Sequence, residues 1–267
     1  MTTPAADPAL TYGNYLKIPE LLALQRPRSD GPEHDEMLFI VIHQVYELWF
    51  RQLLWEADHL SARLFAGDRP AAASTLRRML TILKTMVAQV DVLETMTPVS
   101  FQSFRARLES ASGFQSAQFR EWEFMLGLKR TKVIEHYPAG SPERERLERR
   151  LAMPSLWDAF AHFLDGAGIA VPRVLLDRDV ATPVEACPDF HAALIGVYRD
   201  SPDLRVICEL FVDLDEGIQE WRYRHVKMVE RTIGMRTGTG GSAGVGYLQR
   251  TLFNPAFPDL WAIRTEL

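Results

Sequence analysis

The stretch of sequence that decides the fold is residues 201–244, SPDLRVICELFVDLDEGIQEWRYRHVKMVERTIGMRTGTGGSAG. Ser201 suits the N-cap of a helix, Pro202 suits its first turn, and Gly234 suits its end. About 30 helical residues at a rise of about 1.5 Å each would form a rod of roughly 50 Å. The stretch therefore predicts one long helix followed by a loop of small residues.

Apolar side chains recur along this helix at steps of three and four, which is typical of a helix packed among other helices. They are Leu204, Ile207, Phe211, Leu214, Ile218, Trp221, His225 and Met228. His225 occupies a position in this seam where an aliphatic residue is expected. A histidine there is either a core imidazole with a hydrogen-bond partner or a ligand of a metal or haem iron. The flexible loop directly after the helix favours the ligand.

A second long helix is predicted from about Pro32 to Ala66, stopped by Gly67, with a seam of the same period. The seam residues are Phe39, His43, Tyr46, Phe50, Leu53, Ala57 and Leu60. His43 and Glu47 could both meet a metal, but Glu47 is more simply explained by a salt bridge with Arg51, four residues on. Two seam histidines without enough carboxylate or thiolate partners suit haem better than zinc or non-haem iron.

Composition narrows the class of protein. With 267 residues, the chain lies near the upper limit for one hydrophobic core, and it shows no alternating strand pattern or repeat. We therefore expect an all-α fold, a single domain over residues 1–267 built on long antiparallel helices. A formal net charge of −5 disfavours a nucleic-acid partner or an anionic membrane surface.

The chain also lacks the marks of export. Its first ten residues show no signal-peptide pattern, and no apolar run approaches the length of a membrane span. The two cysteines, Cys187 and Cys208, form no CxxC motif, which disfavours a zinc site and covalent haem attachment. A cytoplasmic location is the simplest expectation.

Two short motifs suggest other chemistry and are set aside. The glycine-rich residues 238–244 follow a helix, whereas a dinucleotide-binding loop follows a strand, and the loop lacks the Gly-Lys-Ser/Thr of a P-loop. Glu56 and His59 have the spacing found in di-iron bundles, but those proteins need that motif on two helices. The loop glycines instead suit a close approach of backbone to a planar ligand.

Two further segments carry candidate binding residues. Arg105 ends the aromatic-rich FQSFR at residues 101–105, and an arginine can hold a carboxylate through two parallel hydrogen bonds. The alternative is an ordinary surface arginine. The Pro-rich residues 1–30 contain Tyr12 and Tyr15, which either pack on their own domain or reach a neighbouring subunit.

Several segments together resemble the tryptophan 2,3-dioxygenase family, in order and over most of the chain. They are TYGNYL (11–16), HDEMLFIVIHQVYELWF (34–50), FQSFR (101–105), SASGFQSAQFREWEF (110–124) and the run from His225 through GTGGSAGVGYL. The resemblance implies an all-α homotetramer, a dimer of dimers, with one non-covalent haem b per subunit that is ferrous in the active form. It implies that O₂ opens the indole 2,3 bond of L-tryptophan to give N-formyl-L-kynurenine, the first step of the kynurenine pathway.

The resemblance also assigns roles to residues. His225 becomes the proximal ligand of the haem iron, and His43 the distal catalytic residue that faces the indole N–H. Phe39 lines the indole slot. Arg105 takes the substrate carboxylate, and Thr239 helps to hold the ammonium and carboxylate end.

Further roles concern the edges of the pocket. Ser112 and Gly113 lie close to the haem edge, and Phe101 contributes an aromatic wall where some members have tyrosine. The side chains expected from the arm of a neighbouring subunit are Tyr12, Tyr15 and Leu16. Two alternatives to the enzyme remain: a haem-binding sensor or carrier of the same fold, and a helical scaffold with structural histidines. A pure gas sensor has no need of an amino-acid clamp such as Arg105 with Thr239.

Overall fold

The computed structural model describes residues 9–31, 33–236 and 244–267. All regular elements in these residues are helical, which confirms the predicted all-α class. None of the helices in this part of the chain has both the length and the apolar character needed to cross a membrane. The α-helices are α1 (Tyr12–Tyr15), α2 (Ile18–Leu22), α3 (Asp35–Phe65), α4 (Arg69–Leu93), α5 (Pro98–Arg105), α6 (Ala117–Met125), α7 (Pro142–Leu151), α8 (Leu156–Gly166), α9 (Arg173–Leu176), α10 (Pro188–Asp200), α11 (Pro202–Ile233), α12 (Val245–Gln249) and α13 (Pro258–Ala262). Short 3-10 helices lie at Ala106–Leu108, Gly113–Gln115, Thr131–His136 and Ile263–Glu266.

Helices α3 and α4 form an antiparallel hairpin. Gly67, at a φ of 70°, takes the left-handed conformation that glycine adopts easily, and it ends α3 at a tight turn. Asp68 then caps α4, because its carboxylate accepts a hydrogen bond from the backbone N–H of Ala71 at 3.2 Å. Across the pair, the Tyr46 hydroxyl donates to the Met86 carbonyl at 2.8 Å.

Helix α11 runs parallel to α4. Lys84 pairs with Glu220 at 3.3 Å, and further along both helices Asp91 pairs with Arg224 at 2.6 Å. The expected antiparallel packing of the long helices therefore holds for α3 against α4 and is wrong for α11 against α4. The long connection through α5–α10 brings the chain back, so that α11 starts beside the beginning of α4 rather than its end.

The two predicted seams divide into a packed half and an open half. In the packed half the seam side chains are buried in the main core, and burial of each large apolar side chain contributes about 1.5–3 kcal/mol. These buried residues are Phe50, Leu53, Ala57, Leu60, Leu204, Ile207, Phe211, Leu214 and Ile218. The open half is only partly buried. Its members are Phe39, His43, Tyr46, Trp221, His225 and Met228.

The ends of α11 match the sequence with one exception. Gly234 follows its last turn at a φ of 60°, and its N–H donates to the Glu230 carbonyl at 2.8 Å. Ser201 stands at the N-cap, but its side chain makes no capping hydrogen bond. At the start of α11, Pro202 occupies the first turn and the Ser201 carbonyl accepts a hydrogen bond from the Arg205 N–H at 2.9 Å.

A buried carboxylate ties the C-terminal segment to α11. Asp215 is fully buried and accepts hydrogen bonds from the backbone N–H of Ala256 at 2.9 Å and of Phe257 at 3.1 Å. The indole N–H of Trp261 donates to the same carboxylate at 2.9 Å. These bonds hold the segment after α12 against the long helix, at the packed half of its seam.

Candidate functional site

The open halves of both seams face one cavity. It lies at the end of the fold where α3 begins and where α4 and α11 end, and it offers about 260 Å³ of space to water-sized molecules. Helices α5, α6 and α12 and the turn before α6 complete its wall. Most of the lining is apolar, so the cavity suits a largely apolar ligand that carries a few charged groups.

His43 presents a hydrogen-bond acceptor to this cavity. Its Nδ1 lies 2.7 Å from the carbonyl oxygen of Phe39, and the ring also packs on the Phe39 ring at a centroid distance of 4.1 Å. A carbonyl oxygen only accepts, so Nδ1 carries the proton and Nε2 of the neutral ring is left as an acceptor. Burial lowers the pKa of His43, outweighing the Phe39 carbonyl and the charge of Glu47, and therefore favours the neutral ring.

His225 comes to the same cavity from α11. Its ring stacks on Trp221, one turn earlier, with centroids 5.4 Å apart and planes 9° from parallel. Burial, followed by the charges of His43 and Arg120, lowers the pKa of His225 to about 4. The neutral imidazole is the form that binds metals. His225 is thus a half-buried, neutral histidine in the same cavity as His43.

The cavity offers two imidazole donors, His43 and His225. Within residues 9–31, 33–236 and 244–267, no group of three or more His, Cys, Asp or Glu side chains is placed to hold a metal ion. A haem brings four nitrogen ligands of its own and needs only one or two axial ligands from the protein. The histidine pair therefore fits haem, as the sequence predicts.

Helix α5 supplies an aromatic wall and a cation. The Phe101 ring lies 5.8 Å from Phe39 and 5.4 Å from Phe104, and Phe104 lies 5.6 Å from Phe39. Arg105, in the last turn of α5, is half-buried and lines the same cavity. The structure thus brings Arg105 together with the aromatic slot, which suits a flat aromatic ligand with a carboxylate and disfavours the surface alternative.

Ser112 and Gly113 border the cavity before α6. The Ser112 hydroxyl accepts a hydrogen bond from the Phe114 N–H at 3.3 Å and caps the 3-10 helix Gly113–Gln115. A Cβ added to Gly113 would meet no atom of the described chain within 4 Å. The Gly113 backbone therefore faces open space, as expected where a planar cofactor passes close to the chain.

Three predicted residues of the N-terminal arm do not reach this cavity within one chain. Tyr12, Tyr15 and Leu16 are 77%, 68% and 43% exposed, and none of them lines the cavity. Thr239 lies outside the described residues, as do most of the loop glycines around it.

A buried cluster of charges beside the cavity was missed by sequence reasoning. Glu123, on α6, is bound by Arg120 at 2.7 Å, by Arg130 at 2.6 Å and by Arg222, on α11, at 3.2 Å. Burial alone would raise the pKa of Glu123, but the three guanidiniums hold it below its ordinary value. The i, i+3 spacing of Arg120 and Glu123 was the available signal, yet that spacing is common on exposed helices.

Glu47 has a different partner from the predicted one. The side-chain amide of Gln118, on α6, donates to the Glu47 carboxylate and to its backbone carbonyl, each at 2.9 Å. The predicted salt bridge with Arg51 is wrong for the described residues, in which the Glu47 carboxylate binds the Gln118 amide instead. Glu47 lines the cavity one turn after His43.

The charges around the cavity also fit haem. Its lining includes Arg105, Arg120 and Arg222 against Glu47 and Glu123, and Arg120 and Arg222 are only 4% and 6% exposed. The Nε of Arg120 has no hydrogen-bond partner among the described residues. Buried charges need counter-charges, so a surplus of guanidinium suits a ligand with carboxylates, such as the two propionates of haem.

Comparisons with known proteins agree with this geometry. The family model described as tryptophan 2,3-dioxygenase matches residues 3–151 and 189–267. A tryptophan 2,3-dioxygenase of Herpetosiphon aurantiacus is 61% identical over 259 residues, which cover 97% of this chain and 99% of that protein. One of Anaeromyxobacter sp. (strain K) is 56% identical over 270 residues, with both chains fully covered. One of Caulobacter vibrioides is 42% identical over 261 residues, covering 97% of this chain and 98% of that protein.

Proposed function

The chain belongs to the tryptophan 2,3-dioxygenase family, and on that premise we propose how its residues serve the reaction of the family. It is an oxidoreductase that opens the indole 2,3 bond of L-tryptophan with O₂ to give N-formyl-L-kynurenine, the first step of the kynurenine pathway. The observation that carries the residue roles is the meeting of His43, His225 and Arg105 at one aromatic-walled cavity.

The family is haem-dependent, and we assign haem b to this cavity, one per subunit and ferrous in the active form. His225 would be the axial ligand, because its neutral ring faces the cavity from α11. Ser112 and Gly113 would flank the cofactor edge, and the guanidiniums of Arg120 and Arg222 would face its carboxylates. Bound haem supplies the redox chemistry that activates O₂. Both oxygen atoms enter the product, so the reaction consumes no external reductant.

The protein's own contribution is to bind and orient the substrate. Phe39 and Phe101 would hold the indole ring by aromatic contact. Arg105 would pair with the carboxylate, and Thr239 would help to hold the ammonium and carboxylate end. Nε2 of His43 would accept the hydrogen bond of the indole N–H, because Nδ1 already donates to the Phe39 carbonyl. The same Nε2 is the atom to which the indole proton would pass if it left the ring.

We propose one domain over residues 1–267, in a homotetramer formed as a dimer of dimers with exchanged N-terminal arms. Residues 1–30 would reach the pocket of a neighbouring subunit through Tyr12, Tyr15 and Leu16. Their exposure within one chain supports this role. Helix α3 also exposes apolar side chains at intervals of four and seven residues, and these would pack against another subunit. They are Met37, Val41, Leu48 and Trp55. The two free cysteines agree with a reducing cytoplasm.

An absorption spectrum tests the proposal. The purified chain is reconstituted with haem, reduced, and followed in air after addition of L-tryptophan. We expect a haem Soret band and growth of the N-formylkynurenine absorbance. A Soret band without product would favour the sensor or carrier, and the absence of a haem band would favour the scaffold. His225→Ala should lose stable haem binding, and full retention of haem by this variant would refute the ligand assignment.

A further inference from the structure

We propose that Glu123 is a positioning residue: through Arg222 and Arg120 it fixes the orientation of His225 and balances the positive charge beside the cavity. This inference rests on the proposed function, because it takes His225 as the axial ligand. It concerns a residue that touches neither the substrate nor the iron in that assignment.

Glu123 joins three separate parts of the chain. It is 2% exposed and lies on α6, as does Arg120, whereas Arg130 comes from the segment after α6 and Arg222 from α11. The contacts measure 2.7 Å, 2.6 Å and 3.2 Å respectively. A single buried carboxylate therefore holds α11 against α6 at one point. That point is Arg222. It lies three residues before His225 on α11, and residues three apart are neighbours on the surface of a helix.

A second route leads from Glu123 to His225 through packed rings. The Arg120 guanidinium lies 5.3 Å from the centroid of the Phe119 ring. The Phe119 ring lies 5.2 Å from Trp221, which stacks on His225 at 5.4 Å. Movement of Arg120 would therefore be passed to the surface on which the imidazole rests. Groups that orient a metal-binding histidine typically change metal affinity by 10–100-fold when they are removed.

Arg222 also connects this cluster to the C-terminal wall of the cavity. Its second guanidinium nitrogen donates to the Thr251 carbonyl at 3.4 Å, and Thr251 lines the cavity. Burial lowers the pKa of Arg222, and the charge of Glu123 opposes that effect. Without Glu123, Arg222 would lose its buried ion pair and keep the long hydrogen bond to Thr251, and the repulsion between Arg120 and Arg222 would increase.

Charge is the second part of the role. Glu123→Gln preserves the shape of the side chain and removes the negative charge that faces the three guanidiniums. The ferric form of a haem carries one more positive charge than the ferrous form, so the loss of a nearby anion disfavours the ferric form. The reduction potential of the bound haem should therefore rise. If Glu123 served only to stabilise the fold, its replacement by glutamine would leave the reduction potential of the haem unchanged.

Glu121 provides a matched control on the same helix. It is 7% exposed and pairs with Arg146 at 3.2 Å, but it does not line the cavity. We would prepare wild type, Glu123→Gln, Glu123→Asp and Glu121→Gln as haem-loaded proteins. The measurements are the rate of haem transfer to excess apomyoglobin, the ferric/ferrous reduction potential, and the melting temperature of each apo-protein.

We expect Glu123→Gln to lose haem about tenfold faster than wild type and to have a raised potential. Glu121→Gln should lower the melting temperature but change the haem-loss rate by less than about twofold. Glu123→Asp keeps the charge and should restore the potential. Equal effects of Glu123→Gln and Glu121→Gln on haem loss and potential would overturn the proposal. A wild type that binds no haem would instead refute the proposed function.

Arg222→Lys covers the case in which Glu123→Gln does not fold. It keeps the positive charge but loses the two-pronged contact to Glu123 and Thr251. Faster haem loss with an unchanged net charge is expected if the contact orients α11. Wild-type haem loss in Arg222→Lys would contradict the positioning role.

Discussion

The sharpest test of the substrate site is the replacement of Arg105 by alanine. Arg105 lies at the edge of the aromatic slot formed by Phe39 and Phe101, and it is the cation proposed to meet the carboxylate of L-tryptophan. A hydrogen bond to a charged group contributes about 1.5–3 kcal/mol. We therefore expect kcat/KM for L-tryptophan to fall roughly 10- to 150-fold in Arg105→Ala.

Arg107→Ala is the matched control. Arg107 lies two residues further on, pairs with Glu33 at 3.1 Å, and does not line the cavity. Its side chain is 38% exposed, so the loss of this pair should cost no more than about 1 kcal/mol of stability. The kcat/KM of Arg107→Ala should stay within about twofold of wild type, because no contact to the cavity is lost.

Ligands with and without a carboxylate separate binding from general damage. Inhibition constants would be measured for indole-3-propionate, which keeps the carboxylate, and for tryptamine, which lacks it. Arg105→Ala should weaken the binding of indole-3-propionate roughly 10- to 150-fold, about the factor expected for the substrate. The binding of tryptamine should be unchanged or tighter. An equal loss for both ligands would refute the carboxylate contact, and unchanged kinetics for L-tryptophan would remove Arg105 from the site.

Three further predictions concern other parts of the molecule. Burial lowers the pKa of His43, so the midpoint of the acid limb of the kcat/KM–pH profile should lie below the ordinary histidine pKa of about 6.5. Nε2 can accept a hydrogen bond only while the ring is neutral, and an acid limb that persists in His43→Ala would assign it to another group. Lys129 is 2% exposed and donates to the carbonyls of Arg150, Leu151 and Met153 at 3.2, 2.8 and 2.5 Å. Lys129→Met should therefore lower the free energy of unfolding, measured in urea, by about 2–4 kcal/mol. A decrease below about 0.5 kcal/mol would contradict this helix-capping role. Deletion of residues 1–16 should reduce activity more than haem content, and full activity of the truncated protein would exclude arm exchange.

Much of the fold could be read from the sequence because helix periodicity is a local property. The steps of three and four along α3 and α11 located both inward faces, and with them His43 and His225. The seam pattern did not separate the packed half of each face from the half that opens on the cavity. Leu214 and His225 occupy equivalent seam positions, yet Leu214 is fully buried and His225 is half-buried.

The cluster around Glu123 shows why part of the site could not be predicted. Arg130 and Arg222 are 7 and 99 residues from Glu123 in the chain. Arg130 reaches it through the turn of the segment after α6, and Arg222 reaches it only after α6 and α11 have packed. Arg222 alone has the sequence context of an exposed helical residue, and Arg130 has that of a residue in the connection after a helix. Only burial shows that these charges need one another, and burial depends on which faces meet.

The sequence by itself determined the helical class, the two histidine-bearing faces and the family to which the chain belongs. These properties are carried by local periodicity and by long strings of residue identity. The tertiary structure alone decided that α11 runs parallel to α4, and that α3 starts where both of them end. It thereby placed His43, near the start of one helix, in the same cavity as His225, near the end of another. The direction and pairing of helices depend on how the long connection from α4 to α11 folds back, and no local pattern encodes that path.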